Sequence, residues 1–162
     1  MRKLLLTVLT YMMVTTSVAW AQDAMYYYKL GIDSSLANKR VGYFTKALEL
    51  NPNLLEAYEK RALHYYYQRR YDKAIRDYTK VIELNPHGAD AYRMRGSAYL
   101  KKEELDPAIK NLNRAIELDP KVASAFGFRA EAYRLAGMAT EAVRDSTAAI
   151  GLRGDERTTA IA

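Results

Sequence analysis

The chain has 162 residues and no cysteine, so disulfides and thiolate metal sites are excluded. It carries 25 Lys+Arg against 19 Asp+Glu, a formal net charge of +6, and is rich in tyrosine, with 14. The length suits a single domain. The charges are interspersed, as in Lys101-Lys102-Glu103-Glu104, which argues against nucleic acid as a partner.

The first element is an address. Arg2 and Lys3 precede an uncharged stretch from Leu4 to Trp20, and Ala19-Trp20-Ala21 is followed by polar Gln22-Asp23. Positive start, apolar run and small-x-small site, in that order, predict a secretory signal peptide over 1–21, cleaved near Ala21. The alternative is an uncleaved membrane anchor. The run sits at the lower limit for crossing a bilayer and contains four threonines and a serine. Removing Arg2 and Lys3 leaves 23 basic and 19 acidic residues. With no lipidatable cysteine after the run, no Asn-x-Ser/Thr site downstream and no disulfide, the expected location is secreted or periplasmic, in a bacterial envelope.

The rest of the chain repeats. Pro52, Pro86 and Pro120 are spaced by 34 residues, inside Leu50-Asn51-Pro52, Leu84-Asn85-Pro86 and Leu118-Asp119-Pro120. At that period Tyr58, Tyr92 and Phe126 align, as do Ala62, Gly96 and Ala130, then Tyr65, Tyr99 and Tyr133, and Ala74, Ala108 and Ala142. Tyr92, Arg95, Gly96 and Tyr99 recur at i, i+3, i+4, i+7, one face of a helix. The spacings predict helices over 24–34, 39–50, 55–68, 73–84, 89–102, 107–118, 123–136 and 141–152. Asn38, Asp72, Asp106 and Thr140 also recur and are expected as N-caps. The three prolines are expected to stop the second helix of each pair. Helices this short must bury their apolar faces on neighbours.

This pattern resembles the tetratricopeptide repeat, and the resemblance covers about 21–156. It implies an all-α fold, a helix-turn-helix solenoid of about four 34-residue repeats wound as a right-handed superhelix, with the first helix of each pair (helix A) on the concave wall. The division is 22–54 for a degenerate first repeat, 55–88, 89–122, 123–156 for a degenerate fourth, and a tail over 157–162. In the first copy helix A fits poorly: the ungapped register puts Ala24, Tyr28 and Gly31 at the aromatic, small and tyrosine sites. A shifted register, with Tyr27-x-x-Leu30-Gly31 as the aromatic-x-x-Leu-Gly segment, requires a connection three residues shorter.

Catalysis finds no support. His64 and His87 lack metal-pair spacing, and no phosphate loop, nucleophile turn or acid–base set can be named, so no cofactor and no metal are expected. Tyr65-Tyr66-Tyr67-Gln68-Arg69-Arg70-Tyr71 interleaves aromatic and basic residues as a single-strand-binding surface does. Packing by Tyr65 and a favourable helix-end charge at Arg69 and Arg70 explain most of it. Some members of the family clamp a partner's C-terminal carboxylate with lysines and asparagines. The matching sites here, Glu59 and Leu63, Arg93 and Ser97, Gly127 and Glu131, offer only Arg93, so a chaperone-tail clamp is not expected.

The expected function is therefore interaction with a protein or peptide partner. The resemblance places Glu59, Lys60, Leu63, Tyr66, Tyr67, Arg93, Met94, Ser97, Leu100, Lys101, Gly127, Phe128, Glu131, Arg134 and Leu135 on the concave wall. Its apolar members exceed what a solvated wall needs. The alternative is a structural role, with the solenoid stacking on itself as a homo-oligomer. Two further expectations concern packing. Arg61 and Arg129 should pair with Asp77 and Asp145, with Asn111 accepting a neutral bond at the equivalent site. The chain should end in a frayed terminus, with an exposed apolar face around Val143, Ile150 and Leu152.

Overall fold

A computed structural model describes residues 22–159, with side chains as far as 153. The signal-segment reading of 1–21 lies outside the described residues. Among those described there are eight helices and no strand. They are α1 (22–33), α2 (Ala37–Leu50), α3 (Leu55–Tyr67), α4 (Tyr71–Leu84), α5 (Ala89–Lys101), α6 (Leu105–Leu118), α7 (Ala123–Leu135) and α8 (Ala139–Thr159). Each packs on the next, giving the helical solenoid that the 34-residue period predicts. No described helix is long and apolar enough to cross a membrane.

Two kinds of connection alternate. Between repeats, Asn51, Asn85 and Asp119 each accept the backbone N–H two residues on, through Oδ1, at 3.0, 3.3 and 3.0 Å. This side-chain turn, with the proline between, ends each helix and redirects the chain. Within repeats, the Arg70 N–H donates to the Tyr65 carbonyl and the Arg69 N–H to that of Tyr66, at 2.8 and 2.9 Å. Glu104 and Glu103 repeat this on Tyr99 and Leu100, and Met138 and Gly137 on Tyr133 and Arg134. That is the Schellman closure, and it sets the middle residue in the left-handed region: Arg69 at φ 59, Glu103 at φ 61, Gly137 at φ 76.

This closure corrects the expected caps. The residue that finishes the turn is already the N-cap of the next helix, as Arg70 is for α4 and Glu104 for α6, and neither makes a side-chain cap bond. Helices α2, α4, α6 and α8 therefore start two residues earlier than expected. Asn38, Asp72, Asp106 and Thr140 lie second in their helices rather than at the cap. There Asp72 and Asp106 still favour the positive helix end by charge.

The core runs along the array. Ala62, Ala74 and Tyr78 pack together, then Leu100 with Ala108 and Ala132, and Leu112 with Ala115 and Ala125. At the close crossing of α5 and α6, a Cβ on Gly96 would sit 2.8 Å from Leu112 Cγ. A Cβ on Gly31 would sit 2.4 Å from the Phe44 ring, and Phe44 occupies the site of Leu112 two repeats earlier. Gly31 is thus the counterpart of Ala62, Gly96 and Ala130, and the shifted register is the correct one for α1. The three missing residues come from the end of the helix, because the connection 34–36 is as long as 68–70 and 102–104.

The expected arginine pairs form. Arg61 donates to both oxygens of Asp77 through Nε and Nη2 at 2.7 and 2.8 Å, and Arg129 to both of Asp145 at 2.6 and 2.8 Å. Arg95 Nε donates to Asn111 Oδ1 at 2.8 Å. The sequence reading missed the other end of each arginine. Nη1 of Arg61, Arg95 and Arg129 donates backward to Thr45, Thr79 and Asn113 at 3.1, 3.0 and 2.7 Å. Each guanidinium therefore joins the second helix of its own repeat to that of the preceding one. Thr45, Thr79 and Asn113 are themselves spaced by 34 residues, and that was the available signal.

At the far end, α8 runs to Thr159, past the expected stop at 152 and through Gly154. Val143 and Ile150 are exposed at 67% and 73%, as expected of a face with no further repeat against it, while Leu152 is half-buried.

Candidate functional site

The A helices α3, α5 and α7 form one wall. α5 packs on α7 directly, whereas α4 and α6 make no comparable contact.

Between α3 and α5 this wall holds a cleft of about 190 Å³. Glu59, Lys60 and Leu63 line it from α3, and Arg93 and Met94 from α5. Five expected wall residues therefore do converge. The pairing has a local cause: Arg93 is held by Asp90, one turn earlier, through Nε and Nη2 at 3.0 and 2.9 Å. Burial raises the Glu59 carboxyl above its ordinary value, with Glu56 and Asp90 adding to it and Lys60 opposing it. The cleft floor is Tyr78, whose hydroxyl is pushed well above its ordinary range by burial. Neither Tyr78 nor Asp90 was among the expected wall residues. The i, i+3 spacing of Asp90 and Arg93 was the signal that could have found the latter.

Other expected wall residues are not available. Ser97 is fully buried, and its hydroxyl is bonded to the Tyr66 hydroxyl at 2.8 Å. Leu100 is 5% exposed and belongs to the core. Phe128 packs against both the Leu100 and the Leu112 clusters, and Tyr66 against the Ala62 cluster, which Met94 also touches while still lining the cleft. Adjacent A helices approach closely enough to absorb aromatic and sulfur side chains at these sites. Of the three expected wall aromatics, Tyr67 stands out into solvent, at 73%. Lys101, Arg134 and Leu135 are exposed and Gly127 is partly so. Glu131 is engaged by Arg134 at 2.7 Å.

The tyrosine-rich stretch resolves into packing plus charge. The guanidinium of Arg70 and the ammonium of Lys73 lie 5.2 and 5.6 Å from the Tyr65 ring centre. Tyr71 meets Tyr66 edge to face at 5.6 Å. Tyr65 and Tyr66 are thereby engaged, while Tyr67 stays open to solvent.

The sequence profile of the family described as "Tetratricopeptide repeat" matches residues 59–121 and 94–152. The chain belongs to the tetratricopeptide repeat family. Its members are protein-interaction scaffolds without catalysis of their own. Among solved tetratricopeptide structures, MamA is similar at 26% identity and a TM-score of 0.78, over 83% of this chain and 81% of MamA. MamA from Desulfovibrio magneticus RS-1, at 22% identity and a TM-score of 0.70 over 86% of this chain and 76% of that one, shares the fold. The second tetratricopeptide domain of Spaghetti (RPAP3), solved with an HSP90 peptide, is similar at 27% identity and a TM-score of 0.60, over 62% of this chain and 94% of that one. No curated protein sequence matches the chain.

Proposed function

We propose that this chain is an extracytoplasmic interaction module that seats a peptide or a protein edge on its concave wall. The cleft between α3 and α5 supports this most directly. It places an apolar pair, Leu63 and Met94, beside Lys60, which makes no ion pair among the described residues, and beside Arg93 held by Asp90, which suits a segment carrying an apolar side chain next to a carboxylate. The similarity to a domain bound to an HSP90 peptide supports a peptide-sized occupant. The sparse clamp sites argue against a C-terminal carboxylate as the main anchor. Replacing Leu63 and Arg93 by glutamate should abolish partner capture and leave helicity and melting temperature nearly unchanged. Undiminished capture would sink the reading. The location is tested by the mass of the protein recovered from the extracytoplasmic fraction, which should correspond to a chain starting at Gln22.

A second reading, end-to-end stacking, rests on one observation. Thr147 continues the Thr45, Thr79, Asn113 series, is exposed, and lies between exposed Val143 and Ile150. Mass that grows with concentration, and stops growing on Ile150→Lys, would favour stacking over the groove.

A further inference from the structure

A second cleft, of about 490 Å³, lies at the corner where α3 turns into α4. It shares no residue with the Leu63–Met94 cleft, so nothing said of it depends on the concave-wall reading. Its lining includes Arg69, Arg70, Lys73, Arg76 and Lys102, with Asp72 as the single acid. That acid is already neutralised: Lys102 Nζ lies 2.7 Å from Asp72 and also contacts Glu104. Arg69, Arg70, Lys73 and Arg76 make no ion pair among the described residues, so four positive charges face one small opening.

Two of these cations are anchored on an aromatic ring, while Arg69, Arg70 and Arg76 are exposed. Arg70 and Lys73 both lie over the half-buried Tyr65 ring, an attraction that offsets their mutual repulsion. Arg69 is fixed at the left-handed position of the turn, at φ 59. Three of the four cations are private to this repeat, Arg76 being matched by Lys110 and Arg144. The residues matching Arg69, Arg70 and Lys73 are Glu103, Glu104 and Pro107 in the next repeat, and Gly137, Met138 and Glu141 in the last. Packing of the repeat therefore does not require them.

We propose that this corner is a binding site for a small, multiply charged anion of phosphate chemistry. Three of the four uncompensated cations are arginines, whose planar forks match phosphate oxygens in pairs. A lone carboxylate would neutralise one charge and leave three. The cleft has the volume of a small-molecule site, and Tyr71, the one aromatic residue in its lining, meets Tyr66 edge to face.

The test uses inorganic tripolyphosphate, titrated calorimetrically into the protein at about 0.15 M salt, where exposed charges are largely screened. Saturable binding with one equivalent is expected. Arg70→Gln with Arg76→Gln should weaken it by roughly tenfold or more, the loss expected for charge-assisted hydrogen bonds. Arg69→Gly should also weaken it without loss of fold, since Gly137 makes the same turn two repeats on. Lys46→Gln, on α2, should change nothing. Absent or unsaturable binding, unchanged binding in the arginine variants, an equal loss in Lys46→Gln, or hexaglutamate binding as tightly would each overturn the proposal.

Discussion

Arg129 grips both carboxylate oxygens of Asp145, whose side chain is only 5% exposed, while its third nitrogen reaches the preceding repeat at Asn113. Truncating the arginine leaves a buried carboxylate with no partner. Arg129→Ala should therefore cost roughly 3 kcal/mol of unfolding free energy. Replacing both, as Arg129→Met with Asp145→Leu, should cost clearly less, because no orphaned charge remains. Denaturant titrations of the two variants check this. Equal losses would show that the pair contributes packing and not charge.

The first repeat supplies a second test. Gly31→Ala drives a methyl into the Phe44 ring and should destabilise by about 1–2 kcal/mol. In a Phe44→Ala background, which empties that space, the same Gly31→Ala change should cost clearly less. A silent Gly31→Ala would mean that α1 does not pack in the shifted register.

The Tyr66 and Ser97 hydroxyls form a bond where α3 meets α5, with Ser97 fully buried. Tyr66→Phe should lower stability by about 1 kcal/mol, the usual worth of such a bond. Partner capture should be unaffected, since this bond lies beneath the wall. Impaired capture at unchanged stability would return Tyr66 to the binding surface.

His64 stacks on Phe44, with ring centres 5.9 Å apart. Burial lowers its pKa from 6.5, and Arg40 and Lys60 lower it further. The folded state then binds fewer protons than the unfolded one in the window just below pH 6.5. Unfolding free energy should accordingly fall as pH drops through that window and level off once the folded histidine also titrates. His64→Phe should remove that part of the slope. The denaturation midpoint measured between pH 7.5 and 5 decides it, and an unchanged slope in the variant would exclude His64 as the cause.

Much of this architecture was legible in the sequence, because a strict period fixes many residues at once. Pro52, Pro86 and Pro120 located the inter-repeat turns, and the arginine and aspartate series predicted two buried ion pairs. The helix starts were misplaced because Asp72 and Asp106 read as caps, while the backbone closure at Arg69 and Glu103 left no cap to fill. A left-handed arginine has no signature in a single sequence. On the wall, periodicity set the face but not its depth. Ser97, Leu100 and Phe128 lie on the right side of their helices, yet neighbouring A helices cover them. In the lining of the Leu63–Met94 cleft Asp90 holds Arg93, a local pairing that the 34-residue comparison passed over.

The central claim, capture of a partner on the concave wall, is tested most directly by a photocrosslinking amino acid placed at Leu63 or, separately, at Lys46 on α2, in the source cells. A discrete partner adduct is expected from Leu63, lost when Arg93→Glu is added, and none from Lys46. Adducts from Lys46 alone, or a Leu63 adduct indifferent to Arg93, would contradict it.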